Sequence, residues 1–115
     1  MNEALQGFLD RNLPVAGVMA CSVRLADRTF ASRCYSDWFT PAQVEQALSR
    51  LALAADSLGY HCIQPTRLCW VFERVRIHLT LRRDAACLAF FVENRPGTSP
   101  ELEGLLEEFA SLPAL

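Results

Sequence analysis

The chain has no lysine; all eleven of its basic residues are arginine. Glycine is scarce too, with five scattered at 7, 17, 59, 97 and 104. Glycines so spread cannot build a phosphate-cradling loop, which excludes the common nucleotide-binding motifs. No serine stands in G-x-S-x-G, and there is neither an H-E-x-x-H pair nor an EF-hand loop. Neither sign of charge dominates: 13 acidic residues against 11 basic ones give a net charge of −2. That balance argues against nucleic acid as a partner, because phosphate contacts need clustered cations. No apolar run approaches the roughly 18 residues of a membrane span. Met1 to Leu5 shows no basic region leading into an apolar stretch, so no secretory signal is expected.

What is present is apolar. Hydrophobic residues make up 51% of the chain and charged ones 21%, too much and too little for a disordered polymer. A mass of 12.9 kDa hides roughly two-thirds of the unfolded surface, enough for one core and one domain over 1–115. The five cysteines (Cys21, Cys34, Cys62, Cys69 and Cys87) include no C-x-x-C pair. Odd in number and without pattern, they read as small buried hydrophobes in a reducing cytoplasm.

The apolar spacing predicts a helix over 3–12, with Leu5, Phe8 and Leu9 on one face, Asn2 as cap and Pro14 beyond its end. A strand over 16–25 follows. Met19, Cys21, Val23 and Leu25 should face one way, and Val18, Ala20, Ser22 and Arg24 the other. Ala26-Asp27-Arg28 turns into a second strand, 29–35. The central helix, 41–58, carries the fullest set of signals. Thr40 and Gln43 form a capping box, Pro41 takes the first position, and Phe39 and Val44 stand at staple spacing. Val44, Leu48, Leu51, Ala55 and Leu58 make its stripe, and Gly59 is expected as a left-handed stop. Its alanines and Leu53 add a second apolar side, to be buried or to meet a partner.

Residues 66–93 alternate with period two, as three strands. Two-residue turns at Glu73-Arg74 and Arg83-Asp84 would align Leu68, Trp70 and Phe72 with Val75, Ile77 and Leu79, and these with Leu88, Phe90 and Val92. The opposite face would carry Arg67, Cys69, Val71, Arg76, His78, Thr80, Cys87, Ala89 and Phe91. It is mixed, hence wet or turned to a partner. After a loose stretch from Asn94 to Ser99, a last helix starts at Ser99-Pro100, with Leu102, Leu105, Leu106, Phe109 and Leu112 as its stripe and Glu101 and Glu103 in its first turn. The class is α/β (α+β), in the order α-β-β-α-β-β-β-α.

That order, the long middle helix and the segment Leu13-Pro14-Val15-Ala16-Gly17-Val18-Met19-Ala20 resemble the roadblock family of dynein light-chain and GTPase-regulator modules. The first hairpin differs, carrying Ala26-Asp27-Arg28-Thr29 where the family has an Asp-x-x-Gly type of turn. The resemblance implies a profilin-like fold: a five-stranded antiparallel sheet in the order 2-1-5-4-3, the central helix on one face and both terminal helices on the other. It also implies a dimer, whose third strands pair across a two-fold axis while the central helices pack side by side. It implies a scaffold or regulator engaged in protein–protein interaction, often beside a small Ras-like GTPase, with no catalytic residue of its own; neither a cofactor nor a metal is expected. The residues agree with pairing, since Arg67 to Phe72 would be an edge strand without proline or lysine. The expected interface is Gln46, Arg50, Leu53 and Ala54 with Arg67, Cys69 and Val71. A homodimer is expected; a subunit needing a different partner chain is the alternative within this class.

Two chemical readings compete with that one. Cys69 and His78, opposite each other in the expected hairpin, could form a thiol–imidazole pair in a small cysteine-dependent enzyme. The simpler reading is a buried cysteine beside a hydrogen-bonded histidine. His61, Cys62, Cys69 and His78 could be counted as zinc ligands, but their spacing fits no usual site. Arg67, Arg76, Arg82 and Arg83 could meet an anionic surface, although a polar sheet face is simpler. Trp38 reads as core reaching back rather than as an exposed anchor, and Trp70 as core. Glu101, Glu103, Glu107 and Glu108 read as a solvated helix face.

Overall fold

A computed structural model gives the architecture, and residues 3–95 and 99–115 are described. The expected cap at Asn2, and Pro96 and Gly97 of the loose stretch, lie outside the described residues.

The longest helix forms where its signals are densest. The Thr40 side chain accepts from the Gln43 N–H (3.2 Å) while the Gln43 side chain accepts from the Thr40 N–H (2.9 Å). Two otherwise orphaned donors are thereby satisfied, a stabilisation of about 1 kcal/mol. Elements in chain order are α1 (Glu3–Asn12), β1 (Val18–Arg24), β2 (Phe30–Cys34), α2 (Pro41–Leu58), a short 3-10 turn (Gly59–His61), β3 (Arg67–Val71), β4 (Val75–Leu81), β5 (Cys87–Glu93) and α3 (Pro100–Ser111). The five strands form one antiparallel sheet in the order β2-β1-β5-β4-β3. Helix α2 covers one face, on Ala20, Leu79, Ala89 and Phe91. Helices α1 and α3 cover the other, on Cys21, Val23, Leu88 and Phe90. Phe8 and Phe109 seal that second layer with ring centroids 5.9 Å apart.

Four expectations are corrected. Gly59 is right-handed (φ −60°) and carries α2 into the 3-10 turn; the left-handed residue is Cys62, at φ 61°. In β1 the register shifts between Val18 and Ala20, which puts Val18 in the same layer as Cys21 rather than with Ala20. The β4–β5 connection is three residues long, not two: Arg82 pairs with Ala86, and Ala85 closes the turn at φ 68°. One extra residue exchanges the faces of β5 relative to β4. Phe91 and Ala89 therefore lie opposite Ile77 and Leu79 under α2, and Leu88 and Phe90 lie opposite Thr80 and His78 under α3. The mixed face is consequently not wet at β4, where His78 (6% exposed) and Thr80 (1%) are buried. Last, Trp38 is 56% exposed and belongs to neither core layer, while Trp70 packs half-buried against the α2 layer.

Among the described residues, Gly17 is the glycine whose backbone needs to be glycine, at φ 86°. It turns the chain from the Leu13-Pro14 segment into β1, with Val18 N–H on the Val15 carbonyl and its own carbonyl accepting from Glu93.

Candidate functional site

The β3–β4 hairpin forms in the expected register because Glu73-Arg74 is a two-residue turn: Phe72 N–H donates to the Val75 carbonyl at 2.9 Å. Asn94 fixes the turn from β5, donating to the Phe72 and Glu73 carbonyls at 2.8 and 3.0 Å and accepting from Arg76 Nε at 2.7 Å. The pairings are Arg67–Thr80, Leu68–Leu79, Cys69–His78, Trp70–Ile77 and Val71–Arg76. Backbone bonds in an antiparallel pair alternate, and Thr66 and Phe72 both bond towards β4. Arg67, Cys69 and Val71 therefore turn their N–H and C=O groups to the open edge of the sheet. Val71 (59% exposed) and Phe72 (50%) flank that edge on its two faces.

On the α2 side a shallow groove of about 280 Å³ runs between the helix and the sheet edge. Gln46, Ala47, Arg50 and Leu51 form one wall, and Phe72 and Ile77 the other. Leu53 stands 67% exposed on the outer side of α2. The residues of the expected interface therefore lie in two places. Gln46, Arg50, Leu53 and Ala54 lie on exposed α2, while the Arg67, Cys69 and Val71 side chains point to the α3 side of the sheet. Only the backbone edge of β3 joins the two. Phe72, which sequence reasoning placed on the apolar face without assigning it to the interface, lies in the groove itself.

Arg67 makes a bidentate ion pair with Glu103 of α3, which holds that carboxyl below its usual range. His78 lies on the neighbouring strand, its Nε2 buried without a hydrogen-bond partner. Burial first, and then the Arg67 and Arg76 charges, push its pKa down. Cys69 is exposed, and its Sγ makes only a long contact to the Trp70 carbonyl, 3.9 Å. Cys69 and His78 are thus neighbours in register, one exposed and one buried. His61 and Cys62 lie in the turn after α2. Among the described residues no three His, Cys, Asp or Glu side chains are grouped to hold a metal ion. The arginine stripe is dispersed: Arg67 on Glu103, Arg76 on Asn94, and Arg82 drawn inward on Asp84. Among the described residues no helix is long and apolar enough to cross a membrane.

What the geometry offers is an unpaired strand edge bordered by an apolar groove. No family model matches the chain, and no curated protein does. Solved structures do match. MglB of Myxococcus xanthus superposes with a TM-score of 0.70 at 15% identity, over 96% of this chain and 87% of that one. The chain has the roadblock fold. A Roadblock/LC7 domain from Streptomyces avermitilis superposes with a TM-score of 0.60 at 13% identity, over 94% of this chain and 92% of that one. Strand order and helix placement agree with what the resemblance implied.

Proposed function

We propose that this roadblock-fold chain is a non-catalytic interaction module that works as a homodimer and regulates a small Ras-like GTPase. The observation that carries the dimer is the β3 edge. Its outward N–H and C=O groups lie between exposed Val71 and Phe72, with the α2 groove alongside. An open edge of this kind is a template for another strand, and an identical antiparallel copy supplies one. In such a pair the Phe72 groove would receive the partner's helix side, and Leu53 would lose its contact with water. Pairing through β3 would leave the α1 and α3 layer uncovered for a further protein. The GTPase half of the proposal comes from the roadblock resemblance and is analogy at the level of fold.

Leu53→Arg tests the interface. Leu53 is exposed in the single chain, so the substitution should leave folding unchanged while weakening the dimer about tenfold or more, which is about 1.4 kcal/mol. Sedimentation velocity reads the dimer constant, and an unchanged constant would remove Leu53 from the interface. For the regulatory half, the hydrolysis rate of a Ras-like GTPase from the same organism should change when the module is added. Unchanged hydrolysis and nucleotide release, with no complex formed, would contradict it.

A further inference from the structure

At one end of the sheet, bordered by the β3–β4 turn, lies a second concave site of about 580 Å³. Its walls are the start of β1 at Gly17 to Met19, the loop from β2 to α2, the β3–β4 turn, and Glu93. The loop presents Tyr35, Asp37 and Trp38 outward. It is held from both sides: Tyr35 N–H donates to the Met19 carbonyl at 2.8 Å, Trp38 N–H to Ser36 Oγ at 3.2 Å, and Phe39 is seated against Phe91 with centroids 5.3 Å apart. The indole is thus offered to solvent from a fixed backbone. The Arg74 guanidinium lies over its face, 5.7 Å from the ring centroid.

Arg74 is an unusual occupant. Its backbone is tied down, since its carbonyl accepts from Asn94 at 3.1 Å, yet its side chain has no carboxylate partner among the described residues. Asp37, in the same site, has no cationic partner among the described residues; Glu93 is paired with Arg95 at 2.6 Å. The site therefore holds an aromatic face that takes a planar cation, one carboxylate unpaired among the described residues, a second carboxylate shared with a neighbour, and room beyond one guanidinium. Trp, Tyr and Arg are the residue types that dominate binding energy at protein interfaces.

We propose that this site receives an arginine side chain from a segment of another protein, and that Arg74 is a placeholder displaced when it enters. The incoming guanidinium stacks on Trp38 as Arg74 does now, with Asp37 and Glu93 facing its charge. Arginine rather than lysine is the fitting cation, because the ring already accepts a planar group. A chain segment rather than a small molecule is the fitting carrier, because the cleft extends past the cation along the β1 backbone. The site needs neither a second copy of the chain nor a GTPase.

The test uses a blocked glycine–arginine–glycine peptide. The indole N–H signal of Trp38 in nitrogen–proton correlation spectra reports binding, and that of Trp70 serves as the internal control. The peptide should shift Trp38 and leave Trp70 in place. Arg74→Ala should bind it roughly 2–5-fold tighter, the scale of an exposed cation–π contact. Trp38→Ala, followed through the neighbouring backbone signals of Asp37, should lose binding, and Asp37→Asn should weaken it. The lysine analogue, and free arginine amide, should each bind more weakly than the peptide. All three positions are exposed, so unchanged circular dichroism is expected of each variant. Binding by Arg74→Ala no tighter than wild type would overturn the placeholder. Equal binding by Trp38→Ala would overturn the site. Arginine amide binding as tightly as the peptide would overturn the assignment to a protein segment.

Discussion

Arg82 and Asp84 tie together three parts of the chain that the alternation of β4 gave no reason to connect. The guanidinium donates to both Asp84 oxygens (3.1 and 2.9 Å), to the Phe109 carbonyl (2.6 Å) and to the Pro113 carbonyl (3.0 Å). Asp84 also accepts from the Ala86 and Leu115 N–H groups. The end of α3 and the C-terminal residues are thereby held to the β4–β5 turn. These bonds, those from Arg82 above all, lower the Asp84 pKa to about 2 from an ordinary 3.8. A carboxyl lowered on folding contributes its full stabilisation above its unfolded pKa and loses it as pH falls through the folded one. The contribution is therefore complete above about pH 4 and disappears between about 4 and 2. Asp84→Asn should be less stable than wild type in urea at pH 6, and the gap should narrow as pH falls to 2. A gap of the same size at both pH values would contradict this assignment. Arg82 could not be recognised from sequence. Its neighbours Arg76 and Thr80 mark only a strand face, and the carbonyls it binds, Phe109 in α3 and Pro113 beyond its end, are some thirty residues away.

Elements were legible where local chemistry closes them. Helix α2 has the expected bounds because a proline, a capping box and a long stripe agree at once. The β3–β4 register is as expected because its two-residue turn leaves no alternative. The β4–β5 register slipped by one residue because Arg83-Asp84-Ala85-Ala86 contains no glycine to mark a three-residue loop. Here Ala85 itself takes the left-handed conformation, at φ 68°. An alanine there is disfavoured by roughly 1 kcal/mol, so Ala85→Gly should stabilise the fold by about 0.5–1 kcal/mol. Thermal unfolding checks it, with a melting temperature a few degrees higher expected; a lower one would mean that glycine's added freedom in the unfolded chain outweighs the relief. Gly59 misled in the opposite sense. It has the composition of a helix stop, but the backbone reversal falls three residues later, at Cys62.

For the whole molecule, the fold was more legible than its surfaces. Apolar stripes record which faces are buried, whereas the strand order and the sides taken by the helices came from the resemblance and not from the residues. The open edge was also visible, as a strand without proline or lysine beside a helix apolar on two sides. Trp38 was not, because a tryptophan reads as core unless the loop that carries it is known to be anchored by its neighbour Phe39. Phe72 was not assigned to the interface because alternation gives it the same face as Trp70 without showing that α2 stops short of it.

A second copy of the chain is proposed to close the β3 edge. Light scattering over a hundredfold range of concentration tests it most directly. A closed edge gives a constant mass of about 26 kDa, twice the 12.9 kDa of one chain, falling towards the single-chain value in Leu53→Arg. A mass of 12.9 kDa at every concentration would contradict it and leave the edge of β3 without its proposed partner.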